Sequence, residues 1–226
     1  MKGIEGIGFD LDGTLYPNYR MNLKLIPFIL KESRLLSAFG KTRNIIRKEQ
    51  KTHLHQGDFY EYQAEITAKI LSVEPQQLKE KIDLLIYRGW EPLFKTVKLF
   101  NGVIKTLNAF KNAGFKLGLL SDFPPETKLE YLGLSGIWDA VLCSECCGAL
   151  KPHPLSFEKL AASLNLQPEK ILYVGNSRRY DVAGATKAGM KTAWIKSPLF
   201  PGSGKKKPKP DFSFSSYRQL YDFMIK

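Results

Sequence analysis

The chain has 226 residues, 43% hydrophobic and 12% aromatic, with a formal net charge of +12. That is enough apolar material for one large core, or for a core with a smaller companion domain. No stretch of about 18 uncharged apolar residues is present from which to build a spanning helix, so no membrane partner is expected. The positive balance suits nucleic acid or anionic small molecules as partners, and it also simply aids solubility. Met1-Lys2-Gly3 runs straight into the first apolar segment, unlike a cleaved signal peptide. Cys143, Cys146 and Cys147 are odd in number and have no second pair to complete a zinc ribbon. They read as reduced thiols, and the expected location is cytoplasmic.

Ile4 to Phe9 predicts a buried strand that stops on two carboxylates, Asp10 and Asp12, and turns at Gly13-Thr14. Aspartates rarely finish a buried strand without a metal or a cation to pair with them. Taken alone, Asp-Gly-Thr also reads as an ordinary turn. From about Pro17 to Phe100 the character changes. Apolar residues recur at helical spacing (Leu25, Phe28, Ile29; Leu35, Leu36, Phe39; Ile66, Ile70, Leu71), and Ser72-Val73-Glu74-Pro75 reads as a helix start. This section predicts a bundle of about four helices, inserted after the first strand.

Beyond it the pattern alternates. Helices are predicted over Val103–Asn112, Glu126–Leu132, Leu155–Leu164, Asp181–Ala188 and Tyr217–Met224. Strands are predicted over Phe115–Leu120, Ala140–Cys143, Ile171–Val174 and Lys191–Ile195, with a weak last strand at Phe212–Phe214. Such alternation predicts an α/β fold, a doubly wound and mostly parallel sheet with right-handed crossovers. The expected division is residues 1–16 and 101–226 as the α/β core and 17–100 as a helical unit.

Three later segments end in polar groups: Leu119-Leu120-Ser121-Asp122, Leu150-Lys151-Pro152, and Val174-Gly175-Asn176-Ser177 with Asp181 following. In an open parallel sheet these ends converge on one edge, beside Asp10 and Asp12. The set offers carboxylates, an amide, a hydroxyl and an ammonium, which suits oxygen ligands for Mg²⁺ and donors for a phosphate. Singly each has a plain role: Ser121 as a turn former, Lys151 as a solvated side chain, Asp181 as a helix cap.

In this order, Asp10-Leu-Asp12-Gly-Thr-Leu, Ser121, Lys151-Pro152 and Gly175-Asn176-Ser-x-x-x-Asp181 resemble the haloacid dehalogenase (HAD) superfamily of hydrolases. The resemblance covers the α/β core, and the helical section sits where that family places its cap. It implies that Asp10 is the nucleophile, forming an aspartyl-phosphate, and that Asp12 is the general acid and then the base. It further implies that Ser121 and Lys151 bind the phosphoryl group and that Asp10, Asp12 (through its carbonyl), Asn176 and Asp181 hold Mg²⁺. One departure stands out: at position 176 the family's phosphatases usually carry Asp, and the amide of Asn176 brings one negative charge fewer.

The implied function is an Mg²⁺-dependent phosphohydrolase acting on a small phosphorylated metabolite, with a cap that closes over the site. Residues 14–16 would be its hinge. Substrate-selecting residues are sought among Arg20, Arg43, Arg47, His53, His55 and Tyr62. A phosphomutase and a carbon–halogen hydrolase share this core; the second needs neither Mg²⁺ nor Asp12. A different class, a non-catalytic nucleic-acid-binding protein, rests on the charge and the run Lys205–Lys209. No helix-turn-helix, RNP motif or zinc finger accompanies that run, so nucleic acid is not the expected partner. The sequence is silent on oligomeric state.

Overall fold

The computed structural model describes residues 3–196 and 208–226; most of the lysine run at 205–209 lies outside them. Among the described residues, six strands form one sheet: β1 (Gly6–Phe9), β2 (Lys116–Ser121), β3 (Ala140–Cys143), β4 (Ile171–Gly175), β5 (Lys191–Ile195) and β6 (Phe212–Phe214). Their order is β3-β2-β1-β4-β5-β6, and every neighbouring pair is parallel, the short last strand included.

β1 lies between β2 and β4. The chain builds outward from it on one side, then returns to build outward on the other. Helices α5 (Val103–Asn112) and α9 (Tyr217–Ile225) pack on one face, and α7 (Pro154–Ser163) and α8 (Ala183–Lys187) on the other. Both faces are thus covered, which is why the central strands are continuous apolar runs rather than alternating ones.

The period of two still decides which residue meets which helix. Ile7 and Phe9 join Leu107 and Phe110 of α5 and Leu220 of α9 in one apolar cluster. Gly8 faces α7 instead, and Gly6 faces Leu166 just beyond it. A Cβ on Gly8 would press against Leu160 and Tyr173, so glycine here lets α7 approach the sheet backbone.

Between β1 and α5 the chain forms α1 (Asn18–Lys31), α2 (Ser33–Glu49), α3 (Phe59–Leu71) and α4 (Pro75–Ile82). A π-helical turn at Asp83–Arg88 and a 3₁₀ turn at Glu91–Thr96 follow. Asp58 caps α3 by accepting from Glu61 N, and Pro75 opens α4. Leu35, Phe39, Ala64, Ala68, Leu78, Ile82 and Ile86 close a cluster of their own. Met21 and Leu25 of α1 and Phe94 belong instead to the apolar cluster of the sheet. The segment returns to its starting point, where Phe100 N donates to Leu15 O at 2.9 Å.

The core and these helices also meet through buried charge. Arg43 of α2 pairs with Glu145, which accepts from Tyr87 as well (2.8 Å). Gln50 bonds both Gly148 O and Leu150 N. The loop that receives these contacts carries Cys146, exposed, and Cys147, and follows the buried Cys143 at the end of β3; all three are free thiols.

Candidate active site

The carboxyl ends of β1, β2 and β4 open into a cleft of about 520 Å³. This crevice, where the strand order reverses, is where open α/β sheets place their ligands. Asp10, Asp12, Lys151, Asn176 and Asp181 all line it.

Asp10 follows β1 directly and is 7% exposed. Lys151 Nζ lies 2.7 Å from Asp10 Oδ1 and 2.9 Å from Asp181 Oδ1, and Thr14 Oγ1 donates to Asp10 Oδ2 at 2.7 Å. Both Asp10 oxygens are therefore pinned. Burial works against the lysine's charge, but Asp10 and Asp181 outweigh it and hold the ammonium charged. One ammonium cannot neutralise two buried carboxylates. Burial and Asp181 accordingly push the Asp10 carboxyl up to about 7, although Lys151 pulls the other way.

The loop after β1 turns at Gly13, whose φ is +87°. A Cβ there would collide with the amides of Asn18 and Asn176, so both conformation and space call for glycine. The loop after β4 is less regular than the predicted helix at Asp181. A π-helical turn, Arg178–Val182, precedes α8, with Ser177 accepting from Tyr180 N. The wide turn buries Asp181, whose Oδ2 accepts from Ser177 N at 2.9 Å.

Two predicted residues sit otherwise than the sequence alone suggests. The Asp12 side chain is turned toward Lys128, at 3.0 and 3.1 Å, and accepts from the Tyr16 hydroxyl, rather than joining Lys151. Ser121 is fully buried at the end of β2; its hydroxyl accepts from Phe123 N at 3.2 Å and is not among the groups lining the cleft. Asn176 Nδ2 donates to the Asp12 carbonyl at 3.1 Å. Among the described residues, no three Asp, Glu, His or Cys side chains gather at metal-binding spacing.

Sequence reasoning passed over several neighbours. Lys128, from α6 (Glu126–Tyr131), lies 5.2 Å from the ring centres of both Phe94 and Phe123. Nothing in its local pattern separates it from a surface lysine. Asp122 receives Arg43 (3.2 Å) and Arg47 (2.8 Å) from α2. Burial opposes the Asp122 charge, but Arg43, Lys151 and Arg47 prevail and hold it below the usual carboxylate range. Of the positions considered for substrate selection, Arg43 and Arg47 thus serve this junction. His55 stacks on Tyr62, and the Tyr62 hydroxyl donates to Glu49.

The fold is thus a doubly wound parallel sheet with a buried Asp–Lys–Asp cluster at its switch point. Residues 4–189 match the family described as haloacid dehalogenase-like hydrolases, and the chain belongs to that family. A glyceraldehyde 3-phosphate phosphatase of Methanopyrus kandleri is 28% identical over 240 aligned positions, covering 97% of this chain and 96% of that protein. A phosphoglycolate phosphatase of Haemophilus influenzae is 25% identical, covering 96% and 97%. The crystal structure of a dehalogenase shares the fold, with a TM-score of 0.70 at 18% identity over 100% and 99% of the two chains.

Proposed function

We propose that this hydrolase cleaves a small phosphate monoester with Mg²⁺, through an aspartyl-phosphate on Asp10, and that residues 17–100 form the cap over its site. The observation that carries this reading is the pinning of Asp10. Thr14 and Lys151 hold its two oxygens at the cleft floor, as a nucleophile requires. Asp10 attacks phosphorus, and the leaving oxygen takes a proton from Asp12. Asp12 then takes a proton from the water that hydrolyses the intermediate. Lys151 lessens the repulsion between Asp10 and the phosphoryl group. Ser121 accepts from Phe123 N and keeps its own O–H to donate to a phosphoryl oxygen. The relatives named as phosphatases support the reaction class.

The donor set suits the ion. The raised Asp10 carboxyl marks a floor short of positive charge, and the available donors are oxygens. Asp10, Asp181, the Asp12 carbonyl and Asn176 would hold the ion, the last after its amide turns Oδ1 inward. Bound there, Mg²⁺ would screen the phosphoryl charge and act as a Lewis acid. The test is release of phosphate from p-nitrophenyl phosphate and a panel of phosphorylated metabolites. Turnover is expected to vanish with EDTA and to return with Mg²⁺; activity that ignores chelation would remove the metal from the scheme. Asn176→Asp is expected to lower the Mg²⁺ concentration for half-maximal activity by about tenfold, the order of one added carboxylate ligand. An unchanged Mg²⁺ requirement would mean that position 176 is not a ligand.

A second reading is carbon–halogen hydrolysis. It is favoured by the engagement of Asp12 with Lys128 and Tyr16, and by the amide at position 176. Asp10 would then displace halide from carbon without metal. Halide release from chloroacetate in the presence of EDTA separates the two.

A further inference from the structure

Phosphoryl transfer leaves unused the segment that joins β3 to Lys151. It is tied to the inserted helices by Glu145 on Arg43, by Gly148 and Leu150 on Gln50, and by Cys146 on Tyr60 of α3. Cys143, at the end of β3, and Cys146 stand at Cys-x-x-Cys spacing, and Cys143 Sγ accepts from Cys146 N at 3.2 Å. The first residue of a helix-capping box accepts in the same way from the residue three on, an arrangement that brings the two side chains together. The Cys143 S–H has two acceptors in reach, Asp122 O at 3.9 Å and the Cys146 sulfur. The Tyr60 hydroxyl also meets the Cys146 sulfur, at 3.4 Å. The hydrogen bond from Cys143, helped by Tyr60, brings the Cys146 thiol down to about 7, although burial and the carboxylates of Glu145 and Glu126 push the other way. The same bond and burial hold Cys143 protonated, and burial pushes the Cys147 thiol up. Cys146 is exposed and Cys143 buried, so an oxidant meets the thiolate first and a second thiol waits beside it.

We propose that Cys146 and Cys143 form a redox modification site, which a hydroperoxide oxidises to an intramolecular disulfide. The Cys146 thiolate attacks the peroxide, breaks its O–O bond and becomes a sulfenic acid, while the other oxygen leaves as hydroxide. That step removes the negative charge that held Cys143 protonated. The Cys143 sulfur then attacks the Cys146 sulfur, an S–S bond replaces the S–O bond, and the thiol proton leaves with the hydroxyl as water. Two electrons pass from the pair of sulfurs to the peroxide. Cys147 is not the partner of Cys146: it follows directly in a turn closed by Cys147 N on Cys143 O at 3.0 Å, where adjacent side chains point apart. The modification falls where the insert meets the segment leading to Lys151, and it holds whichever bond the active site cleaves.

The experiment treats the full chain with limiting hydrogen peroxide at pH 7 and reads intact mass and free thiols. The wild-type protein is expected to lose the mass of two hydrogens and to keep a single alkylatable thiol, which fragmentation places on Cys147. Dithiothreitol is expected to restore all three thiols. Before oxidation, limiting iodoacetamide at pH 7 is expected to label Cys146 about tenfold faster than Cys147 or more, from the difference in thiolate fraction. Cys147→Ala leaves the pair untouched and is expected to form the same disulfide. Cys146→Ser, a change at an exposed position, is expected to form none. A disulfide that includes Cys147, three thiols left free by peroxide, oxidation of Cys146 to sulfinic acid without a disulfide, or labelling led by Cys147 overturns the site.

Discussion

Asp10→Asn is expected to abolish phosphate release, by about 10⁴-fold or more, because the amide is not a nucleophile toward phosphorus. Loss of activity alone would not distinguish lost chemistry from lost structure, and the raised Asp10 carboxyl supplies the distinction. A carboxyl whose folded value is about 7, against an ordinary value of 3.8, costs stability as pH rises. The folded state keeps a proton that the unfolded chain has released, so stability falls between about pH 4 and 7 and stays low above. The Asn variant carries no such penalty. Without metal at pH 8 it is expected to be more stable than the wild-type protein, by on the order of 2 kcal/mol, and to match it near pH 4. Thermal melts in EDTA at the two pH values check this. An inactive variant that is also less stable at pH 8 would show that Asp10 serves the fold rather than carrying a mobile charge for chemistry.

Lys151→Met is expected to give the largest loss of stability of any single change at the site. The side chain is 2% exposed and bridges two carboxylates. Removing the ammonium leaves Asp10 and Asp181 buried with no counter-charge, which costs about 3–5 kcal/mol at neutral pH. The Asp10 carboxyl, already raised by burial, rises further in the variant, so the deficit is present at high pH and relieved as pH falls and it protonates. The difference from wild type is therefore expected to shrink between pH 8 and pH 5. Adding Asp181→Asn is expected to recover part of the loss, because one of the two stranded charges is gone. A deficit equal at both pH values would mean that packing of the lysine stem, not its charge, holds the site together. Phosphate release should be lost in the single variant at every pH.

Much of the fold was legible because it is written in local periodicity. Apolar runs of four to six residues, alternating with helical stripes, announce the parallel sheet and its covering helices. The inserted bundle shows through the same 3.6-residue spacing, and Pro75 marks one of its helix starts. The differences fall at segment ends. The predicted helix at Asp181 begins instead as a π-helical turn at Arg178, because the chain there is shaped by Ser177 and by the burial of Asp181. The first helix of the insert gives Met21 and Leu25 to the cluster of the sheet, whereas Leu35, Phe39, Ala64, Ala68, Leu78 and Ile82 of the next three close another, which no single-helix pattern reveals.

Sequence order alone placed Asp10, Lys151 and Asp181 at one edge, since the ends of parallel strands and the loops after them must share that edge. It could not say which acid faces which base. That depends on groups 30 to 141 residues apart meeting as buried side chains, where orientation is set by competition for few partners. There Asp12 turns to Lys128 and Tyr16, Ser121 is drawn to its own backbone, and Arg178 and Arg179 come to rest against aromatic rings. Local spacing carries the strand, the turn and the helix; only the packed chain decides where buried charge finds its counterpart.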